Sequence, residues 1–134
     1  MNYLVDSDWL IDAFIGVPTA VELLAKLRSE GLAVSIITYG ELFEGAIGAP
    51  DPGAELARFR RFLARLTLMP LDDPIMERFA RTRADLRRQG QLIPDLDLLI
   101  AATAIHHELI LLTRNVRHFA RIPELTLYQP NQIG

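Results

Sequence analysis

Ile93-Pro94-Asp95-Leu96-Asp97-Leu98-Leu99-Ile100-Ala101-Ala102-Thr103-Ala104 is the stretch whose reading decides the fold. Proline near a first helical turn costs nothing, because its missing N–H has no intrahelical partner there and its φ is already helical. Asp95 is read as the cap of this helix and Asp97 as a first-turn acid, where the helix dipole favours negative charge. The residues behind them carry little polar surface on any side, so the helix is expected to be buried on most faces. Two carboxylates are thus set at the mouth of a buried helix. The question is which other acids join them.

Working outward, short β-branched or leucine-rich runs alternate with helical patterns. Asn2–Val5 reads as a buried strand ending in Asp6, with Ser7 and Asp8 supplying caps for a short apolar helix from Trp9 to Ile15. Gly16-Val17-Pro18 stops that helix, and Thr19 is expected to cap the next, which Gly31 closes. Residues 32–37 read as a second strand, with Thr38 capping the helix that follows and Glu41 at its capping-box position. Residues 48–53 form a loop, residues 55–66 an amphipathic helix and residues 68–71 a brief edge strand. A long helix opens at Asp72-Asp73-Pro74 and ends at Gly90. Leu109–Thr113 is a further strand, Val116–Arg121 a helical turn, and Leu125–Tyr128 a last short strand. Strands alternating with helices imply an α/β protein with a central parallel sheet of about four or five strands, flanked by helices on both faces.

Composition narrows the classes. The chain has 134 residues, half of them apolar and 23% charged, which is enough for one globular domain with a real core. It has no cysteine, which excludes disulfides, thiol nucleophiles and Cys-bearing zinc sites and fits a reducing compartment. There is no basic leader and no long apolar run, so the expectation is a cytoplasmic protein with no membrane attachment. A net charge of −3 gives no global attraction to nucleic acid, but thirteen of the fourteen basic residues are Arg, the side chain suited to bidentate phosphate contact.

In a parallel sheet, Asp6 and Asn115 end strands, Glu41 lies in a helix after a strand, and Asp95 and Asp97 open a helix. These positions can meet along one sheet edge. Like charges brought together are costly unless a cation neutralises them, and Mg²⁺ or Mn²⁺ takes oxygen ligands from a few carboxylates while keeping water. Each acid alone also reads as an ordinary cap or first-turn residue.

The blocks Tyr3-Leu-Val-Asp6-Ser-Asp8-Trp-Leu-Ile-Asp12, Ser35-Ile-Ile-Thr38-Tyr-Gly-Glu41-Leu, Asp95-Leu-Asp97-Leu-Leu-Ile-Ala-Ala-Thr-Ala104 and Leu111-Leu-Thr113-Arg-Asn115-Val-Arg-His-Phe119 resemble the PIN domain, and within it the VapC-type toxins. The resemblance covers nearly all of the chain and implies a single PIN domain over residues 1–134. It implies a Mg²⁺- or Mn²⁺-dependent endoribonuclease cleaving RNA phosphodiester bonds, restrained by a VapB-type antitoxin and assembled as a homodimer. Carried over position by position, it implies metal ligands at Asp6, Glu41 and Asp97, with Asp95 as a further ligand at a less regular acidic position, and Asn115 completing the catalytic set. Asn115 departs from the Asp common at that position, and Thr113 lies nearby as a hydroxyl. Ser7 and Thr38 are expected to orient waters, and Arg114 or Arg117 to meet phosphate.

Other readings compete. Val5-Asp6-Ser7-Asp8 offers the Asp-x-Asp of a haloacid-dehalogenase-type phosphatase, which also needs a lysine at its site; Lys26, in an early helix, is the sole lysine. A non-catalytic PIN-fold binding module is the third reading, and the intact acids argue against it. Asp12 is expected to be an exposed helix acid, Glu44 to stay outside the site, His106 and His107 to be structural, and His118 to lie on the surface. Trp9, Phe14, Leu23, Leu24 and Leu27 are either core or a partner contact.

Overall fold

Position 5 leaves the sheet as valine and position 6 opens a helix as aspartate, and this strand-to-helix step recurs along one edge of the molecule. The computed structural model describes residues 2–129. Among these, β1 (Tyr3–Val5), β2 (Leu32–Ser35), β3 (Thr67–Met69) and β4 (Ile110–Leu112) form one parallel sheet in the order β3-β2-β1-β4. Seven α-helices connect and cover it: α1 (Ser7–Phe14), α2 (Pro18–Leu27), α3 (Ile36–Ile47), α4 (Pro52–Leu63), α5 (Asp73–Arg88), α6 (Asp95–His106) and α7 (Val116–Phe119).

The sheet is covered on both faces because its strands are apolar on both. Leu4, Ala33 and Leu111 point into one core with Leu86, Leu98, Ile100, Ala104 and Phe119. Tyr3, Val5, Val34 and Leu112 point into the other, with Leu10, Leu24, Leu27, Leu42 and Phe59. The alternation is the period of two expected of a pleated strand. In α6, Leu98 and all residues from Ile100 to Ala104 are buried, so the helix is enclosed as its composition requires. β1 lies between β2 and β4, and the chain leaves it toward β2 while the α5–α6 crossover returns to its other side. Ligand sites of open α/β sheets form at such a reversal, beyond the C-terminal strand ends.

Several boundaries differ from expectation, each for a local reason. β2 stops at Ser35, whose hydroxyl accepts from Ile37 N at 3.0 Å and caps α3; Ile36 and Ile37 are helical in spite of their β-branched side chains. Thr38 is therefore not the cap, and Glu41 sits beyond the first turn. α2 starts on Pro18, which suits a first helical position, so Thr19 lies inside the helix. α4 likewise begins at Pro52, with Asp51 accepting from Ala54 N at 3.2 Å. Pro94 stands at the cap position of α6 with no side-chain bond, which makes Asp95 its first residue and not its cap. The strand expected over 125–128 reduces to one parallel bridge between Leu111 and Leu127, because Leu125 N is turned back onto Ile122 O. No helix among the described residues is long and apolar enough to cross a membrane.

Candidate active site

Asp6 is the residue the sheet edge delivers most firmly. Its N–H donates to Leu112 O at 2.9 Å, extending the β1–β4 ladder by one bond. Its carboxylate caps α1, with Oδ1 accepting from Ser7 N at 2.8 Å, while Oδ2 accepts from Thr113 Oγ1 at 2.8 Å. Thr113 in turn accepts from Asn115 N at 3.1 Å, so a short relay of bonds ties the ends of β1 and β4. Asp6 is buried, and its pKa is raised chiefly by that burial. The Thr113 and Ser7 bonds oppose the rise, and the charges of Asp8 and Asp97 add to it.

Glu41 enters from α3. Burial again raises its pKa first, followed by the charges of Asp6, Asp97 and Glu44. Its Oε1 is buried without a hydrogen-bond partner, and so is Thr38 Oγ1, one turn earlier on the same helix. An orphaned carboxylate oxygen in such a place is costly unless something cationic meets it.

Asp97 enters from the first turn of α6, half-buried, and its Oδ2 lies 3.1 Å from His118 Nδ1. The same ring nitrogen is 3.0 Å from Asn115 Nδ2. Asp97 thus lies close enough for its charge to raise the pKa of both Asp6 and Glu41, and Asn115 borders this set. Asp95 is directed elsewhere: its Oδ1 accepts from Arg83 Nε of α5 at 2.8 Å, and its side chain is largely exposed. Among the described residues, no three Asp, Glu or His side chains are drawn together as ready-made ligands of one ion. The donor set of carboxylates, hydroxyl and amide oxygen still suits a hard divalent cation that keeps water between itself and some of its holders, and the unpartnered Glu41 Oε1 is where such charge would be met.

Residues read as bystanders prove to be part of this edge. Asp8 Oδ2 accepts from Arg114 N at 2.9 Å, fixing the loop after β4 against α1. Asp12, expected to be free on the surface, accepts from Arg114 at 2.9 Å, and the Arg114 guanidinium stacks over Trp9 with 4.1 Å to the ring centroid. Arg114 is thereby committed to α1. His118, expected at the surface, is half-buried between Asp97 and Asn115. The signal for both was spacing: Asn115 and His118 stand at i and i+3 of one turn, and Asp8 and Asp12 at i and i+4 of another. Lys26 is exposed on α2, a helix that contributes no residue to this edge, so the phosphatase reading lacks its lysine. Leu24 and Leu27 are core, and Trp9, Phe14 and Leu23 pack against it; Phe14 stacks on Phe59 at 4.0 Å.

This arrangement of acids beyond a four-stranded parallel sheet coincides with a match to the PIN domain over residues 3–125. The chain belongs to the PIN domain family. Among relatives of this PIN domain, ribonuclease VapC2 of Haemophilus influenzae is 32% identical over 124 residues, 91% of this chain and 92% of the relative. The tRNA(fMet)-specific endonuclease VapC of Shigella flexneri is 28% identical over 122 residues, 91% and 92% of the two chains. Of solved structures, VapBC2 from Rickettsia felis bound to a DNA fragment from its promoter superposes with a TM-score of 0.88 at 27% identity, covering 96% of this PIN domain and 98% of that chain.

Proposed function

We infer that this PIN domain is an endoribonuclease toxin of the VapC kind, restrained by a VapB-type antitoxin, and we propose that it acts with one Mg²⁺ or Mn²⁺ ion. The observation that carries the metal is Glu41 Oε1, buried and unpartnered within the influence of the Asp6 and Asp97 charges. Asp6, Glu41 and Asp97 would hold the ion, partly through water, with Asn115 as an oxygen donor beside them. When bound, the ion lowers the pKa of water and stabilises charge building on a phosphate under in-line attack.

The chain's own residues do the rest. Thr113 and Ser7 N fix both oxygens of Asp6, so that its carboxylate is oriented before substrate arrives. The Thr38 hydroxyl, buried one turn before Glu41, is free to hold a water against that carboxylate. Asp95 stays with Arg83 at the rim, outside the set that would hold the ion. Arg117, exposed on α7, is placed to meet an RNA phosphate, whereas Arg114 is held by Asp12. The VapB-type partner has a fitting surface in a groove of about 240 Å³ lined by Ile11, Ile15, Leu42, Gly45 and Phe59, with Glu41 on its margin. Apolar side chains of a partner would fill it, and a basic one would meet the acids. A homodimer belongs to the same reading, and exposed Met76, Leu92 and Leu96 offer apolar surface for it.

The test is cleavage of initiator tRNA by the purified chain, titrated with Mg²⁺ and with Mn²⁺. Cutting that needs the ion, disappears in Asp97→Asn and is relieved by a co-purified VapB-type protein is the expected result. Undiminished cutting in excess chelator would overturn the metal, and no cutting of any structured RNA would overturn the nuclease.

A further inference from the structure

His118 Nδ1 faces two groups that one ring nitrogen cannot satisfy together. Asn115 Nδ2 lies 3.0 Å away and can only donate; Asp97 Oδ2 lies 3.1 Å away and, ionised, can only accept. With the hydrogen on Nδ1, the ring donates to Asp97 and Asn115 finds no acceptor. With the hydrogen on Nε2, Nδ1 accepts from Asn115 and Asp97 faces a lone pair. Each tautomer serves one neighbour and releases the other.

We propose that His118 is a positioning residue that selects between these two oxygen donors: with the ion bound, it accepts from Asn115 Nδ2 and so leaves the Asn115 amide oxygen as the free, outward end directed to the site. This deepens the ion-dependent reading above and rests on it. Three features support it. The Asn115 side chain is exposed, and among the described residues its one hydrogen-bonding neighbour is His118, so the ring is the group that sets which end of the amide is free. The backbone beneath it is already pinned, since Asn115 N donates to Thr113 Oγ1. The ring itself is anchored, because the adjacent Phe119 is fully buried and Asn115 N and His118 belong to the same short turn. Asp97 has a second source of stabilisation at the positive end of α6 and loses less when the ring turns its lone pair toward Asn115. The amide at position 115 makes this necessary. A carboxylate offers an oxygen whichever way it turns, whereas an amide offers one only if its nitrogen is held elsewhere.

The experiment follows the tautomer and the ion separately. Nitrogen-15 spectra of the intact protein, recorded at a pH where they themselves show a singly protonated ring, report which His118 nitrogen bears hydrogen. With Mg²⁺ saturating, Nε2–H with Nδ1 accepting is expected; Nδ1–H under those conditions overturns the proposal. Mn²⁺ binding by the wild type, followed by paramagnetic resonance without substrate, tests the underlying reading: absence of binding overturns that reading and this proposal with it. Given binding, His118→Phe should weaken Mn²⁺ about 10–100-fold, the usual scale for a residue that orients a ligand. His118→Asn, which returns an acceptor near the Nδ1 position, should recover most of the loss. The effect of His118→Phe should vanish in an Asn115→Ala background. Unchanged Mn²⁺ affinity in His118→Phe, or an equal loss with and without Asn115, overturns the positioning role while leaving the nuclease reading standing. The wild-type spectra decide the matter even where a variant fails to fold.

Discussion

Thr113 Oγ1 donates to Asp6 Oδ2 at 2.8 Å, joining two residues 107 positions apart in the chain. This bond closes the seam between β1 and β4 and orients the most buried acid of the site. Thr113→Val keeps the shape and removes the donor, leaving a buried carboxylate oxygen unsatisfied, which costs about 1–3 kcal/mol. Asp6 already has a folded-state pKa above its ordinary value of 3.8. Its protonated form therefore favours folding below the unfolded pKa, and that contribution is lost as pH rises through the folded pKa. Because Thr113 supports the charged form, the deficit of Thr113→Val should widen as pH rises from acid to neutral. Urea denaturation of both proteins across that range measures it.

Glu41→Gln removes a charge whose pKa is raised by burial and by Asp6, Asp97 and Glu44. The sign is the same: wild-type Glu41 favours folding when protonated, below its ordinary 4.5, and opposes it once ionised. The ion-free Glu41→Gln protein should melt at a higher temperature than wild type at neutral pH, with the difference fading in acid. Added Mn²⁺ should stabilise the wild type, by about 2.7 kcal/mol at a hundred times its Kd, and the variant much less. Calorimetric melting with and without ion checks both halves.

Ser35 and Thr38 separate a cap from a site hydroxyl. Ser35→Ala deletes the bond to Ile37 N and should cost about 1 kcal/mol, the ordinary value of a helix cap. Thr38→Val removes a buried hydroxyl that has no partner and should leave stability equal or improved, while cleavage falls. Denaturation and single-turnover cleavage of the two variants, side by side, give opposite orders for stability and activity.

Arg114→Ala should destabilise the protein by about 1 kcal/mol, since it removes a partly exposed ion pair with Asp12 and the stacking on Trp9. Asp12→Asn should lose only the ion-pair part, and a double-mutant cycle between the two should show a coupling that shrinks in high salt.

The sheet and its edge were legible because they depend on local signals. Apolar triplets at Tyr3–Val5 and Ile110–Leu112, each followed by a polar residue, are recognisable as buried strands and their ends. Asp6 just past β1 and Asp97 in the first turn of α6 could be placed on this edge from topology, whereas Glu41 lies further along α3 than the capping-box reading put it. What escaped was decided by competition between neighbours in space. Asp95 looked equivalent to Asp97, but Arg83, twelve residues earlier, draws it to the rim. Asp12 looked free until Arg114 folded onto Trp9. Ser35 and Thr38 are both able to cap, and the strand's last pairing, Ser35 with Met69, determined which one does. His118 is the instructive case: nothing in its own neighbourhood in sequence names Asp97 as its partner, because they meet only when α6 and α7 pack.

The order β3-β2-β1-β4 places the earliest of these four strands in the chain beside the latest. A nascent chain can build β1, β2 and the helices between them early, yet Asp6 waits for Thr113 to emerge from the ribosome before its carboxylate is fixed. A chain cut short before β4 therefore carries the acids without the frame that aims them. Cleaving power comes into being only once β4 has joined the sheet, within reach of whatever protein stands ready to silence it.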